Sequence, residues 1–237
     1  QERFKQELKI AREVQLNLLP KNLPDLHGIE IAAESLTAYE VGGDFYDFFQ
    51  YKDGQYGFVL GDVSGKGTQA AFYMAEFKGI VQALASTCNS PKELAILSNK
   101  ILFPNIETKS FITAIITKFD LKNNQLLFIR AGHSNPVYFD TEEMSHTEIS
   151  VSGIGMGLDR GKVFKDSIAE ASVTCRPGHM VFFYTDGLSE LMDHANKELP
   201  FSEIIKIFNN HMYDKTENIK EAILNKAFDF LKGATIS

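Results

Sequence analysis

The 237-residue chain has no surplus of basic residues, no long apolar run and only two cysteines. Each shortage removes a class of function. With 24 Lys and Arg against 31 Asp and Glu, a net charge of −7 argues against a binder of the nucleic-acid backbone. The longest apolar runs, such as residues 181–184, are far too short to cross a bilayer, so no membrane contact is expected of this piece. Cys88 and Cys175 stand far apart and form no CxxC; they suit a reducing cytoplasm and support neither a disulfide framework nor a zinc site. There is no HExxH, and neither cysteine has a basic companion nearby in sequence. The first residue is Gln and no basic-then-apolar leader follows, so the chain reads as an excised portion of a longer protein. What remains, 44% hydrophobic and 23% charged, suffices for one generous domain or one domain with an appendage.

The opening segment reads as a helix. Phe4, Leu8, Ala11, Gln15 and Leu18 recur at alternating steps of four and three, and Pro20 and Pro24 end the pattern. Two heptads support two readings: an amphipathic helix lying on its own domain, or a helix that pairs with a second copy or continues an upstream sensor helix. Residues 1–24 are therefore read as a linker or dimerisation helix and 25–237 as one domain.

After Gly28 the pattern turns to short β-rich segments at 29–33, 45–50 and 56–62, with Asp53-Gly54 as a hairpin signal. A long helix is expected over 68–87. A second opens at Ser90-Pro91, with Glu93 in the capping-box position, and runs to about Leu102. Residues 111–120 and 125–131 flank Asn123-Asn124 as a hairpin. Further strands are expected at 137–140, near 163–173 and at 180–185. Helices over 202–209 and 217–232 close the chain, the second capped by Thr216 and stopped by Gly233. Hairpin-linked strands with helices in separate blocks indicate an α+β fold with largely antiparallel sheet.

Three stretches place glycines beside an aspartate at the end of a β-rich or apolar segment: Gly42-Gly43-Asp44, Gly61-Asp62-Val63 and Thr185-Asp186-Gly187. Carboxylates so placed can aim oxygens from several strands at one point, and hard oxygen donors select magnesium or manganese over zinc or copper. Glycine permits close backbone approach, so that a main-chain carbonyl can join the ligand set. Such a site suits hydrolysis of a phosphomonoester by activated water, without a side-chain nucleophile. The stretch 61–68 (GDVSGKGT) fails as a P-loop because Gly67 follows Lys66 where Ser or Thr is required, and 153–157 does not fit GxGxxG and reads as a flexible loop.

In combination, GGDFYD, GDVSGKG, RAGHSNP and TDGLSE, in that order, resemble the PPM-type metal-dependent serine/threonine protein phosphatases. The likeness is closer to the bacterial SpoIIE-like branch of sporulation and stress-response sigma-factor phosphatases, and the AREVQLNLLP helix resembles that branch's linker. The resemblance implies a four-layer αββα sandwich of two mainly antiparallel sheets flanked by helices. It implies two Mn2+ or Mg2+ ions held by Asp44, Asp62 and Asp186 and by the backbone carbonyl of Val63. It also implies a phosphorylated regulatory protein as substrate, an anti-sigma-factor antagonist, an upstream sensor domain in the same chain, and a cytoplasmic location. The chain departs from the family pattern in three places. Val63 stands where eukaryotic members carry a histidine. His133 lies beyond that place, and is either a structural turn residue or a catalytic one. The family's terminal aspartate pair would follow about where 233–237 stand, so the domain is expected to lack its last strand.

Asp47 reads either as a partner orienting a metal-bound water or as an exposed strand-end carboxylate. Lys66, Arg130, Arg160 and Lys162 are candidates to meet a substrate phosphate, with Lys66 first because it shares the Asp62 loop. Phe72, Met74 and Phe77 read as helix core. The expected activity is hydrolysis of phosphoserine or phosphothreonine on a regulatory protein; the alternative is a catalytically weak phosphatase-fold module that binds a partner or dimerises.

Overall fold

The computed structural model describes residues 2–36, 41–193 and 195–232, without the side chains of Glu2, Phe4, Lys5 and Lys232. Gly233, expected to stop the last helix, lies outside the described residues. Backbone contacts divide the chain into two compact units, one formed by 1–22, 35–135 and 150–175, the other by 23–34, 136–149 and 176–237.

The first unit is built on a five-stranded antiparallel sheet. Its strands are β1 (Phe45–Gln50), β2 (Tyr56–Val63), β3 (Ile112–Asp120), β4 (Gln125–Ala131) and β7 (Glu170–Thr174), side by side in that order. Gly54, with φ of 79°, closes the β1–β2 hairpin, and Asn124, with φ of 52°, closes β3–β4. Helices α1 (Glu2–Leu18), α2 (Thr68–Ala85) and α3 (Pro91–Leu102) belong to the same unit. The α3 cap forms as its sequence dictates: Glu93 N–H donates to Ser90 Oγ at 3.2 Å. The Glu93 carboxylate in turn accepts from Asn89 N–H at 2.7 Å. Met74, Phe77 and Val81 of α2 and Leu94 and Leu102 of α3 are fully buried with Val59, Ile112, Ile116 and Ile129 of the sheet. Each such side chain contributes about 1.5–3 kcal/mol by leaving water.

The second unit holds a three-stranded antiparallel sheet of β6 (Ser145–Glu148), β5 (Val137–Asp140) and β8 (Met180–Phe182), in that order. Its core gathers Val137 and Phe139 with Ile204 and Phe208 of α6 (Phe201–His211) and Ile219 and Ile223 of α7 (Thr216–Lys232). Phe139 stacks on Phe208 with ring centroids 4.2 Å apart. Two antiparallel sheets with attendant helices match the expected mixed architecture.

Several expectations are corrected. Residues 29–33 form no strand, only the isolated bridge Leu26↔Ile29. The region 163–173 divides into a short helix α4 (Lys162–Ser167) and β7, because Asp159 Oδ1 accepts from Gly161 N–H and Phe164 N–H and so starts a helix. Strand β6 escaped the reading because its four residues are all exposed and carry no alternation. The strand expected over 180–185 stops at Phe182; residues 183–185 are irregular, and the helix α5 (Asp186–Ser189) follows them. Residues 153–157 are a packed strap rather than a flexible loop. Met156 exchanges both backbone hydrogen bonds with Ile112, and a Cβ on Gly153 would lie 1.9 Å from the Arg130 carbonyl. Phe72 is not core: it is 76% exposed, whereas Met74 and Phe77 are fully buried.

Candidate metal centre

Asp44 immediately precedes β1, and Asp62 is the penultimate residue of β2. The β1–β2 register pairs Phe45 with Gly61, so one step beyond it Asp44 faces Asp62 across the same strand pair. Their carboxylates approach within 4.8 Å, close enough for one cation to draw on both. Gly61 makes the pairing possible, since a Cβ there would meet the Phe45 ring at 2.6 Å. Gly43 makes the next approach possible. A Cβ on it would sit 2.6 Å from the Val63 carbonyl oxygen and 3.1 Å from Asp62 Oδ1. The missing side chain thus leaves a gap lined by the Asp62 carboxylate and the Val63 carbonyl, beside Asp44. An all-oxygen donor set of this kind fits Mg2+ or Mn2+. Past Val63 the chain turns through Gly65 and Gly67, with φ of 100° and 73°, a left-handed conformation that favours glycine. The turn is tied by Ser64 N–H donating to the Phe111 carbonyl and Phe111 N–H donating to Ser64 Oγ, at 2.9 and 2.8 Å. Lys66 is exposed on this turn.

The Asp44 loop is held from α1. Gln15, 6% exposed, donates through Nε2 to the Gly42 carbonyl at 2.5 Å and accepts from Gly42 N–H at 3.1 Å. Gln15 therefore serves its own unit. Leu8, Ala11 and Leu18 are half-buried on the same stripe. Ile10 and Val14, off that stripe, are 56% and 57% exposed.

Asp186 lies in the second unit as the first residue of α5 and is exposed. Its carbonyl accepts from Glu190 N–H at 2.7 Å, and Leu188 N–H donates to the Thr185 carbonyl at 3.1 Å. The approach from β8 is fixed by aromatic packing: Phe182 stacks on Tyr184, and the rings of Tyr184 and Phe201 lie with centroids 4.8 Å apart.

His133 is 3% exposed, and its Nδ1 shares a 2.9 Å hydrogen bond with Thr113 Oγ1. Thr113 is the β3 residue paired with Asp62, so the histidine has a structural role, bracing the strand beside the aspartate through a bond to β3 rather than within a turn. Asp47 fits neither expectation. It is buried and ion-paired to Lys78 of α2, and also accepts from Gln82 Nε2 at 2.5 Å. Arg130 is likewise committed to backbone, donating to the carbonyls of Val151 and His133. Arg160 and Lys162 are exposed. Sequence reasoning missed the Gln15 clamp; the polar residue in an apolar stripe was its signal.

The profile of the family described as Stage II sporulation protein E (SpoIIE) matches residues 52–235. Phosphoserine phosphatase RsbU of Bacillus subtilis is 26% identical over 234 residues, which cover 97% of this chain and 68% of RsbU. Phosphoserine phosphatase RsbP of the same organism is 25% identical over 78% of this chain and 46% of its own length. Among solved structures, the SiaA-PP2C domain of Pseudomonas aeruginosa superposes with a TM-score of 0.77 at 15% identity, covering 97% of this chain and 91% of that one. At that identity the likeness establishes the fold, that of a PP2C-type domain.

Proposed function

The chain belongs to the SpoIIE family and is a protein serine/threonine phosphatase, and we propose that Asp44, Asp62 and Asp186, with the Val63 carbonyl, are the metal ligands of its active centre. The observation that carries this reading is the pairing of Asp44 with Asp62 beside the gap left by Gly43. Two Mn2+ or Mg2+ ions bound there would lower the pKa of water toward neutrality and offset the charge of the phosphoryl oxygens.

The residues of the chain hold and orient. The β1–β2 ladder fixes the spacing of Asp44 and Asp62. Gly43 keeps the Val63 carbonyl accessible from the Asp44 side. The Gln15 clamp limits motion of the loop that carries Asp44. In the hydrolysis, water oxygen bonds to phosphorus, the ester bond to the serine or threonine oxygen breaks, and one proton passes from the water to the leaving oxygen. Neither cysteine is suited to be the nucleophile, since burial pushes both thiols up from their ordinary pKa.

The finer reading is that the substrate is a phosphorylated anti-sigma-factor antagonist in a cytoplasmic stress-response circuit. On this reading α1 receives its signal from an upstream sensor domain. Among the described residues no helix is long and apolar enough to cross a membrane. The exposed Ile10 and Val14, one turn apart on α1, suit a homodimer through this helix.

The test is hydrolysis of a phosphoserine protein. Activity should vanish in chelator, return with manganese or magnesium, and fall at least a hundredfold in Asp62→Asn with the fold retained. Wild-type turnover by Asp62→Asn in saturating manganese would overturn the ligand assignment. Absence of hydrolysis by a metal-loaded wild type would leave the alternative, a weak phosphatase-fold binding module.

A further inference from the structure

A second group of metal-ligating side chains lies within the second unit, on residues the phosphatase reading does not use. The β5–β8 register pairs Phe139 with Met180, so one step beyond it Asp140 at the end of β5 comes opposite His179, the residue just before β8. Asp140 begins the turn into β6, where its Oδ1 accepts from Glu142 N–H at 3.0 Å and Glu143 N–H at 2.9 Å. These bonds, that from Glu143 most of all, lower the pKa of the carboxyl, and the turn brings the exposed Glu142 to the same end of the sheet. One ligand atom from each of Asp140, Glu142 and His179 lies within 4.8 Å of the others.

The imidazole supplies a separate observation. The His179 side chain is only 1% exposed, and its Nδ1 is hydrogen-bonded to the Tyr138 hydroxyl. Its Nε2 is buried, makes no hydrogen bond, and points toward Asp140, whose Oδ1 is 3.7 Å away. A buried ring nitrogen without a hydrogen bond is unfavourable, because it has given up its bond to water and gained none in return. A 3.7 Å separation is too long to recover this by a hydrogen bond but suits two atoms that share a cation: ligands at about 2.0–2.2 Å from one ion stand roughly 3–3.5 Å apart. Tyr138 completes the arrangement. When His179 Nδ1–H donates to the Tyr138 oxygen, the lone pair is left on Nε2, and a partner of this kind is what orients a metal-bound histidine.

We propose that Asp140, Glu142 and His179 form a site for a zinc-class divalent cation, with water completing a four-coordinate shell. Nitrogen in the donor set separates this site from the all-oxygen centre, since imidazole favours zinc, nickel and copper over magnesium and calcium. The cation clasps the β5–β6 turn to the start of β8, the strand that leads to Asp186. It is held by side chains of one unit and is independent of the phosphatase assignment.

The experiment uses the tag-free chain, stripped by chelator and carrying Asp62→Asn to weaken the oxygen centre, with Zn2+ alone added to one equivalent. Zinc-edge X-ray absorption should report an imidazole nitrogen together with oxygen ligands. Glu142→Gln, a change at an exposed side chain with little risk to folding, should weaken Zn2+ binding at least tenfold in competition with a chromophoric chelator. His179→Gln should remove the imidazole signal. An oxygen-only shell, or equal Zn2+ affinity with and without Glu142→Gln, would overturn the proposal; neither result bears on phosphoserine hydrolysis.

Discussion

At Gly43 the absence of one carbon decides the geometry of the Asp44–Asp62 pair. A methyl group there would press to 2.6 Å from a backbone carbonyl that belongs to a paired strand and cannot rotate away. Gly43→Ala must therefore move either the Asp44 loop or the end of β2. The expected cost is about 1–3 kcal/mol of stability, as for other overpacked interior sites. Manganese affinity should fall with it, because the move separates the oxygens that share the ion. Urea unfolding and a manganese titration of activity check both effects; unchanged values would mean that the loop yields freely. His133 makes a complementary point. Its chemistry invites a catalytic role, yet its burial and its bond to Thr113 assign it to the frame behind Asp62.

Among the elements, α1 is tied to the site loop through the side chain of Gln15. Gln15→Ala removes two hydrogen bonds to the Gly42 backbone. It should cost about 1–3 kcal/mol at about 0.5–1.5 per bond, and amide exchange at Gly42 should accelerate. Slow exchange at Gly42 in the variant would show that other contacts hold the loop. The α6–α7 pair offers a pH test. Hydrogen bonds from Lys206 and Lys226 hold the Glu203 carboxyl down to about 2 from its ordinary 4.5. Because the folded value is depressed, the stabilisation is complete above about 4.5 and is lost as pH falls through about 2. Glu203→Gln should thus melt below wild type at neutral pH, by a small margin because the cluster is partly open to solvent, and the gap should close between pH 4.5 and 2. A gap of constant size over that window would separate the effect from the carboxylate's charge.

For the whole molecule, the proposed aspartates impose a penalty in the absence of cations, since like charges at one point repel. Saturating manganese should raise the melting temperature of the wild type, by linkage equivalent to about 2.7 kcal/mol at a hundredfold excess over Kd. In Asp62→Asn the rise should be much smaller. Scanning calorimetry with and without manganese measures both. An equal rise in the two proteins would place the stabilising cation elsewhere in the fold.

The sequence by itself determined the chemistry and most of the elements. β-rich composition and turn residues marked β1 through β5 closely, because hairpins turn at Asp53-Gly54 and Asn123-Asn124 and the apolar segments between them are the ones the sheets bury. The Asp-Gly pattern marked the candidate ligands, because a carboxylate that must meet a cation needs bare backbone beside it. The α3 cap was equally plain, since its bonds run between residues three and four apart. Where local signal was absent or ambiguous, only tertiary structure decided. Strand β6 is polar and exposed throughout and exists through its pairing with β5. Asp47 became an ion-pair partner because α2 carries Lys78 over it, and residues 153–157 became rigid because Ile112 and Arg130 pack against them. Gln15 showed as a break in an apolar stripe, but whether it faced a second chain or its own loop depended on a contact 27 residues away. The pairing of Asp140 with His179 carries no motif at all, since it arises from strand register between segments 39 residues apart, and register is a property of the folded sheet.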